Sequence, residues 1–300
     1  MSLPLLLFIS LFITIANAAT FHFTNLCPDT IYPALLAGAT SPPPPTTGFP
    51  LPSSHSLSLP IPSSFSGRLW ARTHCTLNSS TFTCLTGDCG SGTVPCSGGG
   101  AKPPATLAEF TLNGSQSLDF YDLSLVDGFN LPILVAPMGW GRGGDCSATG
   151  CLVDVNRVCP TGLSVRGGEV EGVVACRSAC DAFGDPRFCC SGEFDTPETC
   201  PANEYSRVFK QACPRAYSYA YDDKTSTFTC RGADYLIMFC PPPYSSEILL
   251  GARRMAGELP LVNKSMMHLH PSGGSFEAPV AAILQLILCL TTALSAFLGV

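Results

Sequence analysis

The sequence predicts a mainly β fold, a β-sandwich with a small second lobe that is rich in disulfides and carries short helices. The 300 residues include 28 glycines and 27 prolines, and only 13% are charged, which favours a turn-rich β fold over a helical one. Segments of alternating polar and apolar residues recur between turns from 20 to 240, as is typical of a sandwich. Sixteen of the 17 cysteines fall between Cys27 and Cys240, an even set that in a secreted protein indicates eight disulfides.

Charge and histidine spacing exclude several kinds of partner. The formal net charge is −6, which argues against nucleic acid because phosphate binding requires a basic surface. The five histidines are not arranged with cysteine pairs at metal-ligand spacing, so we expect neither a metal nor another cofactor. The sequence also lacks the Gly-x-Ser-x-Gly motif that carries the nucleophile of many serine hydrolases.

The N-terminal segment is typical of a secretory signal peptide. Leu3–Ile15 is an apolar run too short to cross a bilayer, and an Ala-Asn-Ala cleavage pattern ends at Ala18. We therefore predict that residues 1–18 are a signal peptide and that the mature chain begins at Ala19. Secretion places the cysteines in an oxidising compartment, where disulfides form and persist.

The first segments of the mature chain predict a strand and an irregular edge. Thr20–Asn25 alternates polar and apolar residues and predicts a strand. Ser41–Pro62 is rich in proline and serine, a composition that alone is typical of a linker. Its apolar residues recur at alternate positions, which favours a folded, proline-stiffened edge of the sandwich.

Three cysteines and three glycines lie close together between Cys84 and Cys96. The run Cys-Leu-Thr-Gly-Asp-Cys ends at Cys89, and the glycines permit the sharp bends that short disulfide loops need. This run resembles the signature of the plant-type thaumatin-like (pathogenesis-related) family. Phe82 matches that family, whereas Ser80 stands where a glycine is usual.

The resemblance continues in three further stretches, which are Gly67–Cys75, Pro103–Phe110 and Asp119–Asn130. It covers the predicted domain, residues 19–241, and implies the thaumatin-like β-sandwich. Within the first stretch, we expect Trp70 to pack in the core rather than to stack on a ligand.

The second half of the domain combines a cysteine-dense lobe with one clear helix. Cys146–Cys200 has few long apolar runs, so we expect crosslinks rather than a separate core to hold it. Glu204–Ala212 has apolar residues at helical spacing and follows Asn203, a capping residue, which predicts a helix. The remaining segments predict strands: Tyr217–Asp223, Thr225–Cys230 and Tyr235–Cys240.

The family resemblance, rather than the sequence alone, implies how the cysteines pair. The implied pairs are Cys27–Cys240, Cys75–Cys84, Cys89–Cys96, Cys146–Cys230, Cys151–Cys213, Cys159–Cys176, Cys180–Cys189 and Cys190–Cys200.

The resemblance also implies an acidic cleft between the sandwich and the lobe. In a straight strand Asp122 and Asp127 would point to opposite faces, so we expect the chain to bend at the Asp127–Gly128 turn. Asp223 is preferred to Asp222 because in an extended strand it shares a face with three tyrosines. The implied ligand-binding residues are Arg68, Glu109, Asp122, Asp127 and Asp223.

The resemblance implies binding of β-1,3-glucan, with weak hydrolysis in some members of the family. We expect a monomer that binds β-glucan or a related cell-wall polysaccharide in this cleft. A first alternative is a weak endo-β-1,3-glucanase, since glycoside hydrolysis needs a protonated acid and an ionised carboxylate, and crowded carboxylates raise one another's pKa. Glu109 is then the predicted acid, Asp122 or Asp127 the base or nucleophile, and Arg68 keeps a neighbour ionised. A second alternative is a protein-interaction ectodomain, for example an inhibitor of a foreign hydrolase.

The C-terminal part predicts attachment to a membrane. Residues 242–275 are a polar linker, and residues 276–300 form an apolar tail that is long enough to span a bilayer. No basic residue follows the tail and small residues precede it, which is typical of a GPI-attachment signal, with a spanning helix as the alternative. We therefore expect the domain on the extracellular side of the plasma membrane. Three sequons predict glycosylation: Asn78, Asn113 and Asn263.

Overall fold

The computed structural model describes residues 19–139, 143–168, 170 and 172–242. The predicted signal peptide, residues 243–275 of the predicted linker, the apolar tail and Asn263 all lie outside these residues. Among the described residues, no helix is both long and apolar enough to cross a membrane.

Strands dominate the described part of the chain, and its helices are short. The strands are β1 (Ala19–Asn25), β2 (Tyr32–Ala37), β3 (Ser56–Ile61), β4 (Ser66–Asn78), β5 (Thr81–Thr86), β6 (Leu107–Thr111), β7 (Asp119–Ser124), β8 (Ile133–Met138), β9 (Thr149–Cys151), β10 (Ser164–Arg166), β11 (Val173–Cys176), β12 (Phe228–Cys230) and β13 (Asp234–Phe239). The α-helices are α1 (Ala179–Phe183), α2 (Pro186–Cys189), α3 (Glu204–Ala212) and α4 (Asp223–Ser226).

Two sheets form the predicted sandwich. One sheet has the strand order β3-β1-β13-β8-β9, and the other has the order β12-β7-β6-β4-β2, with β5 paired to the far end of β4. Pairing is antiparallel throughout these sheets except between β1 and β13, which run parallel. The first and last strands of the domain are therefore neighbours in the first sheet.

Aromatic side chains from both sheets meet in the core between them. The ring of Phe21 in β1 lies 4.5 Å from that of Phe110 in β6, and Tyr235 in β13 lies 5.2 Å from Tyr121 in β7. All four side chains are buried. Because successive strand residues point to opposite faces, the neighbours of Phe110 and Tyr121 project from the outer face of the second sheet.

The second lobe contains the predicted helix. Helix α3 covers the predicted residues, Glu204–Ala212, and the Asn203 side chain accepts hydrogen bonds from the backbone N–H groups of Tyr205 and Ser206. Phe209 is buried against the main core, so the apolar face of α3 attaches the lobe to the sandwich.

The strand predicted at Tyr217–Asp223 is wrong. Tyr217 makes only an isolated bridge to Ser124, and the chain then turns into α4. Asp222 explains the turn, since its carboxylate lies 2.8 Å from the ammonium of Lys210 and accepts hydrogen bonds from the backbone N–H and hydroxyl of Ser218. These contacts replace the ladder that a strand would need. The following strand, β12, is also shorter than predicted.

Eight disulfides crosslink the described residues, and they join the same pairs that the family resemblance implies. Cys27–Cys240 links the ends of the neighbouring strands β1 and β13 across a sequence separation of 213. The other pairs are Cys75–Cys84, Cys89–Cys96, Cys146–Cys230, Cys151–Cys213, Cys159–Cys176, Cys180–Cys189 and Cys190–Cys200.

The loop that contains the family signature, between Cys84 and Cys96, packs on the second sheet through two side chains of β4. Trp70 is fully buried and its indole N–H donates to the carbonyl of Gly87, so the prediction that it packs in the core is confirmed. Gly87 has a φ of +63°, and a Cβ there would lie 3.1 Å from the indole, which explains the glycine. The buried guanidinium of Arg72 donates to the carbonyl of Val94 at 2.6 Å.

Candidate functional site

Three cross-strand rows of side chains define the outer face of the second sheet. The middle row is charged, because the register places Arg68 in β4 opposite Glu109 in β6, and Glu109 opposite Asp122 in β7. Side chains that face each other across neighbouring strands have Cβ atoms about 4.5–5.5 Å apart. Residues distant in sequence are thus brought side by side by strand pairing alone.

Asp127 joins this row through a turn. The backbone N–H of Gly128 donates to the carbonyl of Leu125 at 2.9 Å, which bends the chain after β7 as predicted. Gly128 has a φ of +90°, and a Cβ there would lie 2.6 Å from the carbonyl oxygen of Cys176. The turn brings the carboxylate of Asp127 to 4.0 Å from the guanidinium of Arg68.

Tyr217 and Asp223 line the same cleft as the charged row and form the wall opposite that row. The Tyr217 hydroxyl donates to a carboxylate oxygen of Asp223 at 2.8 Å, although the segment between them is a turn and not the predicted strand. Asp222 points to Lys210 instead. Of the two adjacent aspartates, Asp223 therefore lines the cleft, as expected, but for a reason different from strand alternation.

All five residues that the resemblance implies line one open cleft of about 330 Å³. Sequence reasoning did not assign four of the other lining residues to the site. Ser124 and Leu107 could have been found, since each lies two positions from an acidic residue on the same strand and therefore on the same face. The four are Leu107, Ser124, Val126 and Ala220.

Asp122 is the member of the row that holds a proton most firmly. Burial, together with the nearby Glu109 and Asp223, raises the pKa of Asp122 to about 8. One of its carboxyl oxygens, Oδ2, is buried and has no hydrogen-bond partner among the residues that the structure describes. Asp122 is therefore largely neutral near pH 7 and can donate as well as accept a hydrogen bond.

Glu109 and Asp127 differ from Asp122 in having a cation beside them. Burial raises the pKa of Glu109, but the guanidinium of Arg68 opposes this effect and Asp127 adds to it. Burial also raises the pKa of Asp127, again against Arg68. Arg68 thus favours the ionised form of both neighbours, an effect that is absent from the causes of the raised pKa of Asp122.

A model of the thaumatin family matches residues 25–241. The chain belongs to the thaumatin family. Thaumatin-like protein 1 of Castanea sativa is 55% identical over 231 residues, which are 77% of this chain and 94% of that protein. A Prunus avium protein named glucan endo-1,3-beta-glucosidase is 52% identical over 228 residues, 75% of this chain and 92% of that protein.

A third relative in the thaumatin family is larger than this chain. The PR5-like receptor kinase of Arabidopsis thaliana is 45% identical over 249 residues, which are 82% of this chain and 37% of the kinase.

The buried carboxyl group of Asp122 makes stability depend on pH. The pKa of Asp122 is raised from 3.8 to about 8, so the unfolded chain loses this proton near pH 4 while the folded chain keeps it. The contribution of Asp122 to the free energy of unfolding is therefore fully present below pH 4 and is lost as the pH rises towards 8. Asp122→Asn is therefore expected to raise the free energy of unfolding at pH 8 by about 1–4 kcal/mol and to leave it nearly unchanged at pH 4.

Urea unfolding at pH 4, 6 and 8 measures this effect. Asp29→Asn, at an exposed position, is the control and is expected to behave as wild type at every pH. A variant at Asp122 that is no more stable than wild type at pH 8, or equally stabilised at pH 4, would contradict the assignment.

Proposed function

We propose that this thaumatin-family chain binds linear β-1,3-glucan, or a related cell-wall polysaccharide, in its acidic cleft. The observation that supports this function best is that Arg68 and four carboxyl groups, distant in sequence, line one cleft. Sugar hydroxyls donate hydrogen bonds to carboxylates and accept them from a guanidinium or a neutral carboxyl group. The cleft offers all three kinds of group, and the Tyr217 ring adds an apolar surface.

Retention on insoluble β-1,3-glucan tests the proposal. Wild-type protein is expected to stay on the polysaccharide through washing and to elute with soluble β-1,3-glucan. Absence of retention would overturn the proposal and would favour a protein-interaction role, such as inhibition of a foreign hydrolase.

Weak endo-β-1,3-glucanase activity is a second candidate, favoured by the raised pKa of Asp122 in the cleft. A glycosidase needs a neutral acid at the leaving oxygen and an ionised carboxylate as base or nucleophile. The raised pKa of Asp122, about 8, favours Asp122 as the acid, in place of the role that the resemblance suggests for Glu109. Glu109 or Asp127 is then the carboxylate, since Arg68 favours the ionised form of each. The relative named glucan endo-1,3-beta-glucosidase supports this candidate.

Asp122→Asn is expected to separate hydrolysis from binding. The amide is neutral and has nearly the same shape as the protonated acid, so glucan retention should persist. It cannot donate an acidic proton, so release of reducing sugar should fall by about 10²–10⁴-fold. If the variant hydrolyses glucan at the wild-type rate, Asp122 is excluded as the acid. If wild-type protein releases no reducing sugar, the enzyme candidate is excluded and binding alone is retained as the proposed function.

We further propose that the chain is a defence-type protein held outside the plasma membrane by its C-terminal tail. The apolar residues 276–300 and the small residues before them support GPI attachment. The relative named as a receptor kinase is consistent with a domain of this family at the cell surface.

Treatment of membranes that carry the full-length chain with phosphatidylinositol-specific phospholipase is expected to release it into the soluble fraction. A variant in which a charged residue interrupts the apolar tail should not reach the membrane and serves as the control. Retention of the wild type after treatment would contradict GPI attachment and favour a spanning helix.

A further inference from the structure

We propose that the acidic cleft is one half of a longer groove, whose other half is an uncharged sugar subsite built on Phe120, Ser66 and Thr111. This inference rests on the proposed glucan binding and specifies how a chain would lie in the site. It predicts that the ligand crosses the charged row and occupies both sides of it.

Strand register places the uncharged row beside the charged one. Ser66 in β4 pairs with Thr111 in β6, and Thr111 pairs with Phe120 in β7. Each of these residues precedes or follows a member of the charged row by two positions, so the two rows share the outer face of the sheet. A third row, Leu107 and Ser124, lies two positions beyond the charged row on the other side.

A second cavity of about 330 Å³ covers the uncharged row. It shares Arg68, Glu109 and Asp122 with the acidic cleft, so the two cavities meet over the charged row. From the uncharged row to the third row the groove spans four residues along each strand, which is about 13 Å at about 3.3 Å per residue. Such a groove is longer than a single pyranose ring.

The uncharged half has the chemistry that a neutral sugar ring requires. The Phe120 ring is half-buried, and an added Cβ on Gly114 would lie 3.2 Å from it, so the hairpin turn after β6 lies close against the ring. The hydroxyl oxygens of Ser66 and Thr111 lie 2.9 Å apart at the surface. A pyranose can place its C–H face on the ring and its hydroxyls on these two side chains.

The order of the rows determines which part of a polysaccharide reaches the acids. A linear chain that follows the strands would place one sugar ring over Phe120, the next over the charged row and another beside Tyr217. The acids would then face an internal linkage rather than a chain end. Affinity should consequently rise with oligosaccharide length until both halves of the groove are filled.

Calorimetric titration with linear β-1,3-gluco-oligosaccharides of increasing length tests this inference. For the longest ligands, Phe120→Ala is expected to weaken binding about five- to tenfold and to remove the gain that wild type shows between short and long ligands. Phe120→Trp should restore the gain, because it restores a flat apolar surface. Phe183→Ala removes an exposed aromatic ring of the second lobe and is the matched control, expected to leave both affinity and length dependence unchanged.

The outcomes separate this inference from the proposed function. Wild-type protein that binds none of the oligosaccharides would overturn glucan binding itself. Wild-type protein that binds them without length dependence, or a Phe120→Ala variant with unchanged length dependence, would overturn the uncharged subsite alone. Melting temperatures of the variants establish that each one folds.

Discussion

Glu109→Ala combined with Asp122→Ala is expected to weaken binding to β-1,3-glucan by at least about 100-fold, since each lost hydrogen bond to a charged or acidic group is worth about 1.5–3 kcal/mol. The two side chains face each other across β6 and β7 at the centre of the groove. Removing both leaves Arg68 with Asp127 but without the two carboxyl groups that lie beside it along the row. Depletion assays on insoluble glucan, over a range of polysaccharide concentrations, measure the loss.

A second double variant controls for the change in charge. Glu193→Ala with Asp195→Ala removes the same two residue types from exposed positions on the second lobe and should bind as wild type does. Equal retention of the cleft variant and this control, with both variants folded, would mean that glucan binds elsewhere or through non-specific contacts.

Removing the Cys27–Cys240 crosslink by a double alanine substitution is expected to lower the free energy of unfolding by about 5 kcal/mol. The bond joins the first and last strands of the domain across a sequence separation of 213. A crosslink between residues so far apart removes more conformational entropy from the unfolded chain than a short-range one does. Urea unfolding at neutral pH gives the difference.

The Cys190–Cys200 crosslink provides the matched comparison. It closes a separation of only 10, so its removal by alanine substitutions should cost about 3 kcal/mol in the same chain-entropy relation. An equal or greater loss from the short-range crosslink would contradict the view that the long-range bond is the principal clamp of the domain.

Local signals in the sequence were sufficient for several elements. The capping residue Asn203 and the apolar spacing that follows it predicted α3 at its observed residues. The Asp127–Gly128 pair predicted the bend that brings Asp127 to the charged row. The cysteine pairing came from family resemblance, because cysteine spacing alone allows many pairings.

Contacts between distant residues account for what the sequence did not reveal. Tyr217–Asp223 alternates like a strand, but the ion pair of Asp222 with Lys210 holds it in a turn. The uncharged half of the groove also escaped notice, although Phe120 and Thr111 share the faces of Asp122 and Glu109. Strand alternation gives the face of each residue, whereas only the pairing of β4, β6 and β7 shows that these residues form rows.

A crystal structure with a linear β-1,3-gluco-oligosaccharide would show directly whether the groove binds a sugar chain across the charged row. Sugar rings are expected along the strands of the second sheet, with one ring over the charged row, further rings on both sides of it, and an internal glycosidic linkage facing Glu109 and Asp122. A sugar bound at another surface, or one that contacts none of Arg68, Glu109 and Asp122, would contradict this expectation.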